Sequence, residues 1–289
     1  MTNRSIVISG LPDSGKTTFL AALWHLVTSR IDKTMMRFES LRHGDATYLN
    51  TIATRWRSGK SQNHTILAGD QLVSMNLFDS TEIPMHLNFP DIAGESFRDI
   101  WENRECTPSL SKILGDGEGM LFFINSDRIQ PHLLTVDVAD QTRALGTEIP
   151  PGQEVKWHPK FATTQVKLVD MLQLFRAPPI NIGLRRIAII LSLWDKVAVE
   201  GRSPEDFLTE KLPLLSQYLH SGADGWIWRV YGVSAQGGDY EKENETPTPG
   251  LRAAIDTLIA FDVPSKRISV VSGSTVSHDL TEPIAWLLQ

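Results

Sequence analysis

Short, dense apolar runs alternate along this chain with longer stretches whose apolar residues recur every three or four positions. Residues 6–9, Gly119–Asn125 (GMLFFIN) and 186–193 (RIAIILSL) have the length and density of strands buried on both faces. Residues 16–30 predict a helix, because Phe19, Leu20, Leu23, Trp24 and Val27 fall on one face. A second helix is predicted over 45–57, with Tyr48, Leu49, Ile52 and Trp56 together. Residues 71–78 and 85–89 read as strands joined by Asp79-Ser80-Thr81-Glu82, an antiparallel hairpin at the sheet edge. Helices follow over 163–175, 204–219 (opened by Ser203 as cap, with Pro204 first), 251–261 and 281–288, and strands over 226–233 and 268–271. Residues 59–69 read as a loop and 239–248 as a mobile acidic one.

Strands alternating with helices predict an α/β three-layer sandwich: a mostly parallel sheet with an antiparallel edge hairpin and helices on both faces. The pattern suggests one domain over 1–289, with an insertion at about 127–185 and a C-terminal extension at about 239–289. Composition narrows the picture. The chain is 41% hydrophobic and 21% charged, as soluble globular proteins are. Its net charge of −6 draws it toward neither nucleic acid nor an acidic membrane. No window nears ~18 unbroken apolar residues, so no membrane span is expected. The apolar run after Arg4 is too short for a signal peptide, and a lone cysteine, Cys106, suits a reducing compartment. A cytoplasmic location is the expectation.

The sharpest chemistry lies in Gly10-Leu11-Pro12-Asp13-Ser14-Gly15-Lys16-Thr17, a full G-x-x-x-x-G-K-[ST] between a strand and a helix. Its glycines let the backbone curl so that N–H groups face phosphate oxygens, and the helix adds the positive end of its dipole. Lys16 would bridge the β- and γ-phosphates, and Thr17 would give Mg²⁺ a hydroxyl. The candidate phosphate contacts are thus Gly10, Asp13, Ser14, Gly15, Lys16, Thr17 and Thr18. Asp13, odd beside a triphosphate, is expected to point outward or toward a partner. Lys16 is expected to face solvent until phosphate arrives.

Four boxes in order resemble the Ras-like, or translation-factor-related, P-loop GTPase superclass: the phosphate loop, Asp91-Ile92-Ala93-Gly94 after an apolar strand, Ser192-Leu193-Trp194-Asp195, and Ser234-Ala235-Gln236. The resemblance implies that Asp91 reaches Mg²⁺ through water and that the Gly94 amide senses the γ-phosphate. It implies that Asp195 accepts two hydrogen bonds from guanine, that Leu193 packs as an apolar floor, and that the Ala235 amide, beside Ser234, donates to guanine O6. Asp91–Gly94 also fits a plain turn, and Asp195 a helix cap. Glu95 stands where many members have a water-orienting Gln, so unaided hydrolysis should be slow. Thr65 is the best-placed switch threonine, a Mg²⁺ ligand in such proteins, though it equally suits an ordinary loop. Arg57 could be an internal arginine finger or a solvated helix-end residue.

More narrowly, GLPDSGKTTFLAALWHL, DIAGESF and SLWD look like the bacterial double-GTPase families, in which two GTPases are encoded side by side with effector genes. That implies GTP/GDP and Mg²⁺ as cofactors, conflict with invaders as context, and a protein effector or activating partner, a second GTPase first among candidates. Two rivals share the core: an ATP-hydrolysing enzyme, and a pseudo-GTPase scaffold that binds nucleotide, or only a partner, without turnover. Among eight tryptophans, Trp24, Trp56 and Trp101 fit core packing, and Trp157 fits a partner contact.

Overall fold

A computed structural model describes residues 5–31, 33–62, 71–79, 82, 84–91, 94–131, 156–183, 185–242 and 246–289. Its strands are β1 (Ser5–Gly10), β2 (Arg37–His43), β3 (Gln71–Phe78), β4 (Pro84–Asp91), β5 (Gly119–Asn125), β6 (Arg186–Ser192), β7 (Ile227–Ser234), β8 (Ser269–Ser272) and β9 (Thr275–Ser277). They form one sheet in the order β2-β3-β4-β1-β5-β6-β7-β8-β9. The centre, β4 through β7, is parallel. Antiparallel strands flank it on both sides. The dense apolar runs occupy the centre for the reason their composition suggests: β1 and β5 are buried almost end to end, so both faces take mostly apolar side chains.

The helices are α1 (Lys16–Ser29), α2 (Ala46–Arg57), α3 (Gly94–Glu102), α4 (Pro108–Asp116), α5 (Thr164–Arg176), α6 (Trp194–Val197), α7 (Pro204–Lys211), α8 (Pro213–Ser221), α9 (Pro249–Ile259) and α10 (Glu282–Leu287). Alternation along the strands divides the core into two layers. Ile6, Ile8, Leu121 and Phe123 point toward α1, α2 and α10, where Phe19, Leu23, Trp56 and Ile284 pack. Val7, Phe122, Ile124 and Leu191 point the other way, toward Phe97, Met171, Phe175, Phe207 and Leu215. Trp24, Trp56 and Trp101 are buried in these layers, and Trp157 is 69% exposed.

Two expectations are corrected. The β3–β4 pair is antiparallel but does not lie at the edge, because β2 pairs outside it. The helix expected over 204–219 is two helices: α7 ends at Lys211 and α8 opens on Pro213. Proline at 213 lacks the N–H that would continue the ladder, and its ring crowds the preceding turn. Ser203 caps α7 as its sequence predicts, accepting from the Asp206 amide at 3.1 Å.

Candidate functional site

The loop between β1 and α1 depends on unusual backbone angles. Gly10, Asp13 and Gly15 have φ of +147°, +58° and +83°. A Cβ on Gly10 would lie 2.6 Å from the Phe123 carbonyl oxygen, and one on Gly15 would lie 3.3 Å from Ser192 Cβ. Glycine at position 10 therefore answers both conformation and space. Helix α1 starts at Lys16 with no side-chain cap and no acidic residue in its first turn, which leaves its leading N–H groups for an anion. Thr17 and Thr18 sit half-buried in that turn, and Asp13 is exposed, as expected of a side chain pointing away.

Lys16 departs from expectation. It is half-buried, and its ammonium donates to the carbonyls of Gly10 and Leu11, both at 2.8 Å, and to Ser14 Oγ at 3.1 Å. An ammonium held against the loop takes the nearest oxygens it can reach, since a charge withdrawn from water without acceptors is costly. Buried Ser14 in turn donates to the Leu11 carbonyl at 2.7 Å. The loop is thus closed around a cation that phosphate oxygens could take over.

A tether missed in the sequence holds this loop from the next strand. Asn125, at the end of β5, donates through Nδ2 to the Asp13 carbonyl at 2.8 Å. Its Oδ1 accepts from the amides of Asp127 and Arg128, both at 3.1 Å, which fixes the side chain's orientation. Ser192, beside Gly15, is occupied with the Ile124 carbonyl at 3.0 Å.

On the other side of the loop, Leu193 adopts φ +54°, a left-handed conformation costing roughly 1–2 kcal/mol for a branched side chain. That turn sends Trp194 onto β7 at Gly232, where any Cβ would lie 2.4 Å from the indole. Leu193 itself stays half-buried, with Cδ1 4.0 Å from where a Gly15 Cβ would stand. Asp195 is brought against the fourth box: Ser234 Oγ donates to its Oδ1 at 2.5 Å, and the Gly237 amide donates to Ser234 Oγ at 3.1 Å. The carboxylate of Asp195 is thereby engaged with Ser234, and no side chain caps α6.

Residues after Ser234 are braced from behind. Buried Trp56 of α2 donates its indole N–H to the Ala235 carbonyl at 2.8 Å. The guanidinium of Arg267 lies 3.9 Å above that indole and donates to the carbonyls of Trp56 and Arg57. Arg267 is 6% exposed, and burial pulls its pKa down to about 10. Arg57 is exposed, its Nη2 bound to Thr54 Oγ1 at 3.1 Å, as a solvated helix-end residue would be. The acidic stretch is anchored at its start: Asp239 pairs with Lys196, the Glu241 carbonyl accepts from the Ser61 amide at 2.8 Å, and the Glu241 side chain pairs with Arg252 at 3.2 Å.

Asp91 ends β4, and Gly94 and Glu95 open α3. Val7 pairs with Asn88 in the parallel β1–β4 ladder, three residues before Gly10 on one strand and three before Asp91 on the other. Thr65 lies outside the described residues. A Mg²⁺ takes oxygen ligands, typically one or two from protein and the rest from phosphate and water. The Thr17 hydroxyl and an aspartate at the end of β4 suit that set.

A family model described as Double-GTPase 1 matches residues 7–287. Solved structures similar to the chain include nucleolar GTP-binding protein 1 of Plasmodium falciparum, at 14% identity and TM-score 0.35, covering 88% of this chain and 84% of that one. The bacterial selenocysteine-specific elongation factor EF-Sec matches at 11% identity and TM-score 0.34, covering 90% of this chain and 29% of that one. A variant of Aquifex aeolicus Era bound to GDP and AlF4⁻ matches at 14% identity and TM-score 0.36, covering 90% of this chain and 57% of that one. A search of curated proteins finds no match.

Proposed function

From the premise that the chain belongs to the Double-GTPase 1 family, we propose that it binds GTP with Mg²⁺ and hydrolyses it slowly to GDP as a regulatory switch. The observation supporting this most is the packing of the phosphate loop against the base-side turn: Gly15 abuts Ser192, and three residues on Asp195 meets Ser234. A triphosphate and a purine joined by a ribose need binding elements that close together.

In this reading the ammonium of Lys16 exchanges three acceptors of its own loop for β- and γ-phosphate oxygens. The amides from Asp13 to Thr18 surround the phosphates. Thr17, Asp91 and Thr65 would hold Mg²⁺, which supplies positive charge to the phosphate oxygens when bound. Asp195 reads the guanine N1–H and N2 amino group, the Ala235 amide reads O6, and Leu193 packs beside the base. Gly94 senses the γ-phosphate at the start of α3.

Glu95 in the water-orienting position places a carboxylate near concentrated negative charge, and that opposes a fast unaided reaction. A protein partner, a second GTPase first, would then supply the missing charge, with defence against invaders in the cytoplasm as the setting. Among the described residues no helix is long and apolar enough to cross a membrane. Calorimetric titration of the purified chain with GTP, GDP and ATP tests the core of the proposal. GTP and GDP should bind and ATP should bind far more weakly; equal affinity for ATP would remove the guanine reading.

A further inference from the structure

A Ras-like GTPase needs its base-reading loop held still, and in this chain the hold comes from α2. The Ala235 amide belongs to the peptide between Ser234 and Ala235. One end of that unit is fixed by Ser234 Oγ, which donates to Asp195 and accepts from the Gly237 amide. The next peptide plane, joined to it at the Ala235 Cα, is held through the Ala235 carbonyl, which accepts from the indole N–H of Trp56. The indole cannot swing away. It is 0% exposed, a guanidinium stacks on it at 3.9 Å, and its own backbone carbonyl accepts from Arg267 and, at 3.4 Å, from Gln236 Nε2. Backbone contact closes the loop from below, since a Cβ on Gly237 would fall 2.3 Å from the Arg267 carbonyl oxygen.

We propose that Trp56 is a specificity-determining positioning residue: by holding the Ala235 carbonyl it aims the Ala235 amide at the purine 6-position, favouring a keto oxygen over an amino group. This rests on the reading that Asp195 and Ala235 recognise guanine. A donor fixed in place rewards the O6 of GTP and rejects the amino group of ATP, whose hydrogens meet the same N–H. A donor free to rotate loses the reward and relaxes the rejection. Phosphate binding is untouched, because none of these contacts involves the loop at 10–17.

The test is Trp56→Phe in the full chain, which keeps an aromatic ring against Arg267 and removes the N–H. Calorimetric Kd values for GTP and ATP should diverge in their response: GTP weakens about tenfold, and ATP stays within about twofold of wild type. A merely structural role would weaken both alike, and that result, or an unchanged GTP-to-ATP ratio in a folded variant, overturns the proposal. If circular dichroism shows that Trp56→Phe does not fold, Arg267→Lys gives the same readout. Loss of the stacked plane should weaken GTP alone by about threefold, and no selective loss overturns the proposal. A wild-type chain without preference for GTP overturns the guanine reading itself, and the role of Trp56 with it.

Discussion

Replacing Asn125 by Asp isolates the tether between β5 and the phosphate loop. Both side chains have the same shape, and Asp keeps an acceptor for the amides of Asp127 and Arg128, now at 3.1 Å from Oδ1. What changes is the donor: Nδ2, 2.8 Å from the Asp13 carbonyl, becomes a carboxylate oxygen facing another oxygen. Loss of the bond costs about 1 kcal/mol, and the unfavourable oxygen pair left behind adds a comparable amount in a half-buried site. The sum, about 1–2 kcal/mol, corresponds to about 5- to 30-fold in the Kd for GTP, since the loop must be reordered before its amides converge. The nucleotide-free protein should also melt several degrees lower. Fluorescent GTP-analogue titration and a thermal melt measure both. ATP and GTP should weaken in parallel, because in the proposed reading the tether would serve the phosphates and not the base. Asn125→Asp protein that binds GTP within twofold of wild type would refute the reasoning.

Lys16→Ala should abolish most triphosphate affinity. It should also lower the melting temperature of the empty protein, because three loop bonds vanish with the ammonium; calorimetry and a thermal melt read the two effects separately. Asp195→Asn should shift preference from GTP toward xanthosine triphosphate, with a loss for GTP on the order of 2–4 kcal/mol, measured by competition binding. Single-turnover hydrolysis by the chain alone should be far below 1 s⁻¹, and Glu95→Gln should raise it; a variant no faster than wild type would clear the carboxylate of blame.

The layered fold was legible because the central strands are apolar on both faces and α1, α2 and α5 keep helical spacing. Strand β2 was not, and the reason is local. Its apolar residues Phe38 and Leu41 stand three apart, off the period of two, and register shifts between Phe38 and Ser40 and between Leu41 and His43 let both pack against the same core layer. Helix α4 carried a readable signal, Thr107 capping at the Leu110 amide with Pro108 following, the same device that opens α7. The phosphate loop was legible as a motif, but the state of Lys16 was not, since a motif specifies what binds and not where a cation rests beforehand. Asn125 looked like the polar end of an apolar run. Trp56 was readable as core from its helical face, but nothing local could reveal that its N–H serves a carbonyl 179 residues away.

That separation has a consequence for how the chain is made. On the ribosome, β1, the phosphate loop and α2 emerge early, whereas Ala235 and Arg267 arrive only after most of the chain is synthesised. The two sides of this contact therefore mature at different times, and the long sequence separation between them makes the final docking of α2 against the 234–237 turn slow compared with local helix formation. A ligand that touches both halves stabilises only the completed product, by RT ln(1 + [L]/Kd). In the proposed reading, guanine nucleotide would in this way act on the newborn chain, holding closed the contacts that form last.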